Sequence, residues 1–140
     1  MTHNVRLASK LSKKLFEDYY LSEHFQAHEL ACRCCGKVYV TPVLMEMLEK
    51  LRNRAGVPLF IASGYRCPEH NKEIHGAERS KHMLGMAADI KIPVQYVANP
   101  EEFCRIAEEI VQEVKGGFHF YPAGHFIHMD YWADPPNRRW

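Results

Sequence analysis

Two histidines and one aspartate have the types and spacing of metal ligands. His82 and Asp89 lie seven residues apart in a stretch of small and turn-forming residues, and His128 follows far downstream in the run HFIHMD. Three protein ligands with one open position distinguish a catalytic zinc site from a closed structural one. Arg66, earlier in the same stretch, adds a permanent positive charge. These residues predict metal-assisted chemistry, for which nitrogen and oxygen ligands suit zinc, and also manganese or iron.

Three short motifs surround these residues: SGYR, then S-x-H-x-x-G-x-A-x-D-I, then F-I-H-x-D. In this order they resemble the zinc D-Ala-D-Ala peptidases of bacterial cell-wall metabolism, and the resemblance covers residues 25–131. It implies that His82, Asp89 and His128 bind Zn²⁺. It implies that Arg66 binds the substrate or stabilises the oxyanion. It also implies an α+β fold, a small antiparallel sheet with flanking helices, which these peptidases share with hedgehog signalling domains.

The general base is the point at which the sequence departs from the resembled enzymes. They commonly carry a carboxylate three residues before the second ligand histidine, and this sequence has His125 there. A histidine can serve as a base, because unperturbed imidazole titrates near neutral pH. We expect His125 to be the base, with His119 on the neighbouring predicted strand as the reserve candidate. The alternative is that His125 is a turn residue in a protein that has lost its base.

Other residues near the motifs are expected to support the site. Tyr65 follows a glycine turn and is expected to point into the cleft. Ser80 either hydrogen-bonds the substrate or, as is more usual for such a serine, caps its own loop. Asp130 shares a strand face with His128, so it can orient that histidine or pair with a nearby arginine. Arg66 itself has the alternative of a structural ion pair with an acidic residue.

The cysteines allow two interpretations. The chain has five, and Cys32, Cys34 and Cys35 form the run CRCCG. One interpretation is a second, structural metal site completed by Cys67 or by a histidine. Against it, adjacent cysteines share one tetrahedron only with strain, and the C-x-x-C spacing of zinc knuckles is missing. The sequence therefore favours small thiols that are buried or half-buried.

Length and composition are those of an ordinary globular domain. With 140 residues, of which 46% are hydrophobic and 25% charged, the chain can form one core. We expect a single domain over residues 1–140, with residues 1–24 as an N-terminal extension. The net charge of +1, without a basic block, favours neither nucleic acid nor an anionic membrane as a partner. We expect a monomer.

The N-terminal residues give no export signal. They carry charges throughout and lack the apolar segment of a secretory signal peptide. The longest uncharged apolar stretch, residues 56–65, is far too short to span a bilayer. We therefore expect a protein that is cytoplasmic as synthesised and reaches the cell wall by release or delivery.

Hydrophobic periodicity places helices and strands around the motifs. A proline after a capping residue and a glycine at the far end predict helices at 42–55 and 100–115, each with an apolar stripe. Alternating hydrophobicity and turn residues predict strands at 58–62, 86–92, 117–121 and 126–131. Shorter helices are expected around 8–20 and at 68–75. Strand parity takes Asp89 off the core face and puts His128 and Asp130 on one face.

These observations lead to one expected function and one alternative. We expect a zinc metallopeptidase that hydrolyses peptidoglycan stem peptides, as a D-Ala-D-Ala carboxypeptidase or an endopeptidase, and that resembles phage endolysins. The alternative is a catalytically weak or inactive zinc-binding module of the same fold, such as a phage virion component. The missing carboxylate at His125 favours the alternative, whereas the intact Arg66 and the open fourth ligand position oppose it.

Overall fold

A computed structural model gives the fold of residues 3–6 and 18–131. The strands are β1 (His3–Arg6), β2 (Tyr20–Ser22), β3 (Phe25–Gln26), β4 (Lys37–Val40), β5 (Ile61–Ser63), β6 (Ala87–Lys91), β7 (Phe118–Tyr121) and β8 (Phe126–Asp130). The α-helices are α1 (Ala27–Leu30), α2 (Pro42–Ala55), α3 (Pro68–Glu73) and α4 (Pro100–Glu113). Short 3-10 helices occupy Lys81–Leu84 and Val94–Tyr96. The fold is α+β, as the resemblance implied.

A four-stranded antiparallel sheet, in the order β5-β6-β8-β7, carries the polar motifs. Its central strands β6 and β8 pair Asp89 with His128 and Ile90 with Ile127. Directly opposite residues lie on the same face of a sheet. Ile90 and Ile127 are fully buried in the core, so the alternate residues Asp89 and His128 lie on the opposite face. This is the parity that the sequence predicted.

Helix α4 packs on β7 and β8, helix α2 packs against α4, and both helices contribute to the core that includes the apolar face of the sheet. The hydroxyl of Thr41 accepts a hydrogen bond from Leu44 N at 3.3 Å, Pro42 opens α2, and Gly56 ends it with φ at 73°. The buried stripes are Leu44, Met45, Met47, Leu48, Leu51 and Ala55 in α2, and Phe103, Ile106, Ala107, Ile110 and Val111 in α4. Both predicted helices are confirmed. In the described ranges no helix is long and apolar enough to cross a bilayer.

The strand predicted at 58–62 lies further along the chain, at Ile61–Ser63. Pro58 has no N–H to give to a ladder, and the Phe60 side chain is 66% exposed. The register then shifts within β5, so that Ile61 pairs with Ile90 and Ser63 with Asp89. This irregularity brings Ser63 opposite a residue of the polar face.

The N-terminal segment forms more strand than the sequence predicted. β1 pairs antiparallel with β4, with His3 opposite Val40 and Arg6 opposite Lys37. The helix expected around 8–20 falls largely on residues 7–17, which lie outside the described ranges. At its end, Tyr20 lies in β2 and not in a helix. Residues 3–6 and 20–22 therefore take part in strand pairing, and the N-terminal extension is not a purely irregular segment.

Glu49 on α2 fastens the turn after β2 to the core. Its carboxylate accepts hydrogen bonds from Ser22 Oγ at 2.5 Å, His24 N at 2.7 Å and His24 Nδ1 at 2.6 Å. Burial opposes the charge, but these hydrogen bonds lower the pKa of Glu49 below its ordinary value. Glu49→Gln should therefore destabilise the fold by about 1–3 kcal/mol at neutral pH, in urea unfolding measurements.

The pH dependence of this effect has a definite sign. A lowered pKa in the folded state stabilises the fold above the unfolded value of about 4.3, and the stabilisation is lost as pH falls through the folded value. The difference between parent and Glu49→Gln should therefore shrink in acid. Glu46→Gln, at an exposed position of the same helix, is the matched control and should change little. An equal effect of both substitutions would contradict the assignment.

Candidate metal centre and active site

A row of polar residues crosses all four strands of the sheet. Ser63 of β5 lies opposite Asp89 of β6, Asp89 lies opposite His128 of β8, and His128 lies opposite His119 of β7. Opposite side chains on one face have Cβ atoms about 4.5–5.5 Å apart. The antiparallel register therefore places a carboxylate and two histidines side by side, with Asp89 and His119 flanking His128.

His82 reaches this row from the 3-10 helix at Lys81–Leu84. Ser80 caps that helix, and its Oγ accepts a hydrogen bond from His82 N at 3.1 Å. The ring Nδ1–H of His82 donates to the carbonyl of Gly64 at 2.8 Å, which leaves Nε2 with its lone pair. Because one ring nitrogen is bound to the backbone, the other is held at a fixed orientation toward Asp89.

The ligand atoms of His82, Asp89 and His128 lie within 4.8 Å of one another. Asp89 Oδ1 is 3.0 Å from His128 Nδ1 and 3.3 Å from His82 Nε2. The His82 side chain is buried, and its Nε2 makes no aligned hydrogen bond with any described residue. A buried nitrogen lone pair without a partner is rare in proteins, and a metal ion would satisfy it. Two imidazoles and one carboxylate around a common point fit the ligand set of a zinc ion.

Asp130 holds the far side of the His128 ring. Its Oδ2 accepts from His128 Nε2 at 2.7 Å, and its Oδ1 accepts from the backbone N–H of Gly117 at 2.8 Å. A carboxylate that binds the outer nitrogen of a histidine fixes the ring and raises its basicity as a ligand. Of the roles that the sequence allowed Asp130, the structure shows the contact with His128.

The charges in this row stabilise one another. Burial alone would raise the pKa of Asp89, but the hydrogen bond with His128 and the closeness of His82 lower it to about 2. Burial alone would lower the pKa of His128, but its hydrogen bonds to Asp130 and Asp89 raise it to about 9. Asp89 is therefore a permanent carboxylate at neutral pH. The carboxylates of Asp89 and Asp130 face the His128 ring, and a bound metal ion would take the place of the proton that they favour there.

Arg66 lies at the edge of the same cluster with its guanidinium largely buried. Nη2 is 3.5 Å from Asp89 Oδ2, Nη1 donates to Asn71 Oδ1 at 3.0 Å, and Nε donates to Ser63 Oγ at 3.3 Å. Burial lowers the pKa of Arg66, and the charge of Asp89 opposes that shift. The backbone N–H of Arg66 also donates to His82 O at 3.2 Å. The arginine is thus bound to the candidate ligand segment by both backbone and side chain.

Asn71 and Gly76 position Arg66, a role that the sequence did not reveal. Asn71 is 4% exposed, and its Nδ2 donates to Ala77 O at 2.8 Å while its Oδ1 accepts from Arg66. A Cβ at Gly76 would lie 2.1 Å from Asn71 Oδ1 and 2.9 Å from Arg66 Nη1. Only glycine therefore fits this close approach. The turn signal at Gly76 was visible in the sequence, but the contact it allows was not.

Three other residues were predicted to support the site: Tyr65, Ser80 and His119. Tyr65 is half-buried, with its ring centroid 6.0 Å from that of Tyr39, and burial raises its pKa. Ser80 caps the His82 turn. His119 is exposed beside His128 in the row. The ring of Tyr121 contacts His119 with centroids 4.4 Å apart.

His125 lies in the turn between β7 and β8, with φ at 57°. Its carbonyl accepts from Ile92 N at 2.9 Å, its own N–H donates to Pro122 O, and its side chain is exposed. Among the described residues, no hydrogen bond joins its imidazole to the three candidate ligands. The structure therefore brings His119 to the row and leaves His125 at the hairpin end.

One comparison with known proteins finds a family for this chain. The family model for Peptidase M15 matches residues 23–130, which include every residue of the row and Arg66. No curated protein and no solved structure matches the chain significantly. Since the matched range covers most of the sequence, the chain belongs to the Peptidase M15 family, the family of zinc D-Ala-D-Ala carboxypeptidases.

Proposed function

We propose that this protein is a zinc-dependent peptidase that hydrolyses the stem peptides of bacterial peptidoglycan. The observation that carries the proposal is the convergence of His82 Nε2, Asp89 and His128 within 4.8 Å beside a buried arginine. Membership in the Peptidase M15 family supports hydrolysis of a peptide bond. The peptidoglycan substrate rests on the motif resemblance.

The proposed ligands are His82, Asp89 and His128. A zinc ion bound there would supply Lewis-acid polarisation of the scissile carbonyl and activation of the attacking water. The protein keeps these ligands in place through Gly64, which binds the outer nitrogen of His82, and through Asp130, which binds that of His128. Both ligand rings therefore enter the reaction already oriented.

Arg66 is proposed to bind the terminal carboxylate of the peptide or the developing oxyanion. Its side chain is 12% exposed, so its charge acts in an environment from which water is largely excluded. A guanidinium can bind a carboxylate through two parallel hydrogen bonds, which a lysine cannot. Asn71 and Ser63 fix the plane of the guanidinium.

His119 is the general base that the sheet register favours. It lies directly opposite His128 on the polar face, whereas His125, which the sequence spacing favours, lies in the turn. A base must reach the attacking water and then deliver the proton to the leaving amine. His119 is exposed on the side of His128 away from Asp89, where a substrate and water have access.

Replacement of Arg66 by lysine should show whether its positive charge alone is sufficient or whether the planar guanidinium is needed. Arg66→Lys should retain zinc and the fold but lower kcat/KM by about 10²–10³, because the fork that meets the oxyanion or carboxylate is lost. Metal analysis and steady-state kinetics on a peptide substrate are the measurements. Arg79→Lys, at an exposed position, is the control. Near-normal kcat/KM in Arg66→Lys would assign this residue to structure alone.

The proposed function is tested by incubating zinc-loaded protein with purified peptidoglycan and identifying released peptides by mass spectrometry. Release of a single terminal alanine would indicate a carboxypeptidase, and release of larger fragments an endopeptidase. The same incubation with a chelator should release nothing. If the zinc-loaded protein releases no product from peptidoglycan or its soluble stem peptides, the proposed activity is excluded.

A second candidate function is a zinc-binding module of the same fold without turnover, for example in a phage virion. The observation that favours it is His125 at the position where the resembled enzymes carry a carboxylate. This candidate predicts stoichiometric zinc and binding to peptidoglycan in a sedimentation assay, with no released product. We propose further that the protein acts as a monomer after release or delivery to the cell wall.

A further inference from the structure

Four of the five cysteines lie near one another in the fold, away from the polar row, and the sulfur atoms of three of them converge. Cys32, Cys34 and Cys35 lie between α1 and β4, and Cys67 immediately precedes α3. The sulfur atoms of Cys32, Cys34 and Cys67 lie within 4.8 Å of one another, and those of Cys34 and Cys67 are 3.7 Å apart. Four sulfurs bound to zinc at about 2.3 Å form a tetrahedron with edges of about 3.8 Å. The observed spacing therefore matches ligands around one ion.

Backbone N–H groups point at these sulfurs. Cys67 N donates to Cys32 Sγ at 3.4 Å, and His70 N donates to Cys67 Sγ at 3.4 Å. Packed neutral thiols need no such donors, whereas buried thiolates do, because each donor offsets part of the cost of burying the negative charge.

The backbone of the turn that ends at Gly36 brings its cysteines to one side. Gly36 N donates to Cys32 O at 2.9 Å, and Gly36 has φ at 77°, which returns the chain into β4. The sequence spacing argued against a metal because it lacks C-x-x-C. The structure supplies the missing partner from Cys67, 33 residues beyond Cys34. The missing C-x-x-C spacing therefore does not exclude a metal site, because Cys67 approaches from a distant segment of the chain.

Two side chains are within reach as a fourth ligand. Cys35 lies in the same turn as Cys32 and Cys34, with its sulfur outside the group of three that lie within 4.8 Å of one another. A ring nitrogen of His70 lies within 4.8 Å of Cys34 Sγ, in a group with Glu73. His70 shares a group with only one of the three sulfurs. Four thiolates form one of the usual closed ligand sets of a structural zinc ion, and this favours Cys35 as the fourth ligand.

We propose that Cys32, Cys34, Cys35 and Cys67 bind a second, structural zinc ion. Thiolates are soft ligands that select zinc among the common divalent metals, and four of them close the coordination shell. This site is separate from the proposed catalytic site, and its existence does not depend on peptidase activity.

The proposed zinc site lies next to Arg66 in the chain. Cys67 follows Arg66 directly, and the same turn is bound to the preceding segment by Tyr65 N, which donates to Leu30 O at 2.8 Å. A Cβ at Gly64 would lie 2.6 Å from that same carbonyl oxygen, so the two segments are in close contact. A zinc ion would join the turn at residues 32–36 to the turn that carries Arg66. It would therefore help to hold the backbone of Arg66 in position.

The test is metal analysis of protein purified under reducing conditions. The parent should hold two equivalents of zinc, and Cys34→Ser and Cys67→Ser should each hold one. Cys104→Ser, which changes the remaining cysteine on α4, should still hold two. His82→Ala should lose the other equivalent, so failure of one site is distinguishable from failure of the other. Unchanged zinc in both cluster variants would overturn the proposal.

A second measurement on the parent keeps the test decisive if a variant fails to fold. Protein loaded with cobalt should show thiolate-to-cobalt charge-transfer absorption, and its four cluster thiols should resist alkylation until a chelator is added. Absence of these bands, or a Cys34–Cys67 disulfide in the purified protein, would overturn the proposal. Cys35→Ser should weaken metal retention against a chelator, and His70→Ala should not. The reverse result would replace the four-cysteine site with one of three cysteines and a histidine.

Discussion

His82→Ala and His128→Ala should each remove one equivalent of zinc and abolish peptide hydrolysis. The physical reason is the ligand count: three protein side chains hold the proposed ion, and each substitution leaves only two. At His82 the substitution also removes one of the two histidines that lower the pKa of the buried Asp89 carboxylate. The apo protein and each variant should therefore be inactive to the same degree.

The same substitutions should lower thermal stability in the presence of zinc. A ligand that binds only the folded state stabilises it by about 2.7 kcal/mol when its concentration is 100 times its Kd. The rise in Tm on adding zinc to apo parent protein should therefore shrink in both variants. The remaining rise reports the cysteine cluster, if that cluster binds metal as proposed.

A matched control for these variants is His75→Asn. His75 is exposed and has φ at 58°, a conformation that asparagine tolerates better than alanine does. The control should retain zinc, activity and the zinc-dependent rise in Tm. Retention of full zinc content by both His82→Ala and His128→Ala would remove these residues from the ligand set.

The parts of the fold that depend on local pattern were predictable. The stripe in α2 and the stripe in α4 follow the helical period, and proline and glycine mark their ends. Alternation likewise put Asp89 and His128 on the polar face of their strands. Each of these signals lies within one element, so neighbouring residues suffice to read it.

The register between strands was not predictable in the same way. β6 and β8 are separated in sequence by α4 and β7, and nothing local states that Asp89 lies opposite His128. That pairing depends on the hydrophobic pattern of the two strands and on the tertiary packing that brings them together. The turn of the hairpin between β7 and β8 separately places His119 opposite His128. The spacing in the resembled family favoured His125, which the predicted strands also placed in the turn, whereas the position of His119 beside His128 depends on the register of β7 and β8.

Long-range contacts account for the other differences. Cys67 approaches Cys34 only because the turn before α3 packs on the segment after α1. Asn71 reaches Arg66 only because Gly76 leaves room for it. These contacts depend on packing between segments that are distant in sequence. Hydrophobic periodicity predicts single helices and strands, and it does not predict which distant segments pack together.

His119→Asn should lower kcat by about 10²–10⁴ while leaving zinc content and fold intact. Asparagine is polar like the histidine that it replaces and suits an exposed position on an edge strand. Its amide, unlike imidazole, cannot accept and return a proton at neutral pH. His119 lies directly opposite His128 on the polar face of the neighbouring strand, and it is not one of the proposed ligands. The loss should therefore appear in kcat and not in metal affinity.

His125→Asn is the matched comparison, because it makes the same chemical change in the adjacent turn. Asparagine accepts the left-handed backbone of that position, and the carbonyl that binds Ile92 N is retained. If His119 is the base, His125→Asn should keep most of the activity. Loss of activity in His125→Asn with retention in His119→Asn would instead assign the base to His125, as the family spacing suggests. Retention in both would show that neither histidine is the base, and would leave the proton transfer to a group outside this pair.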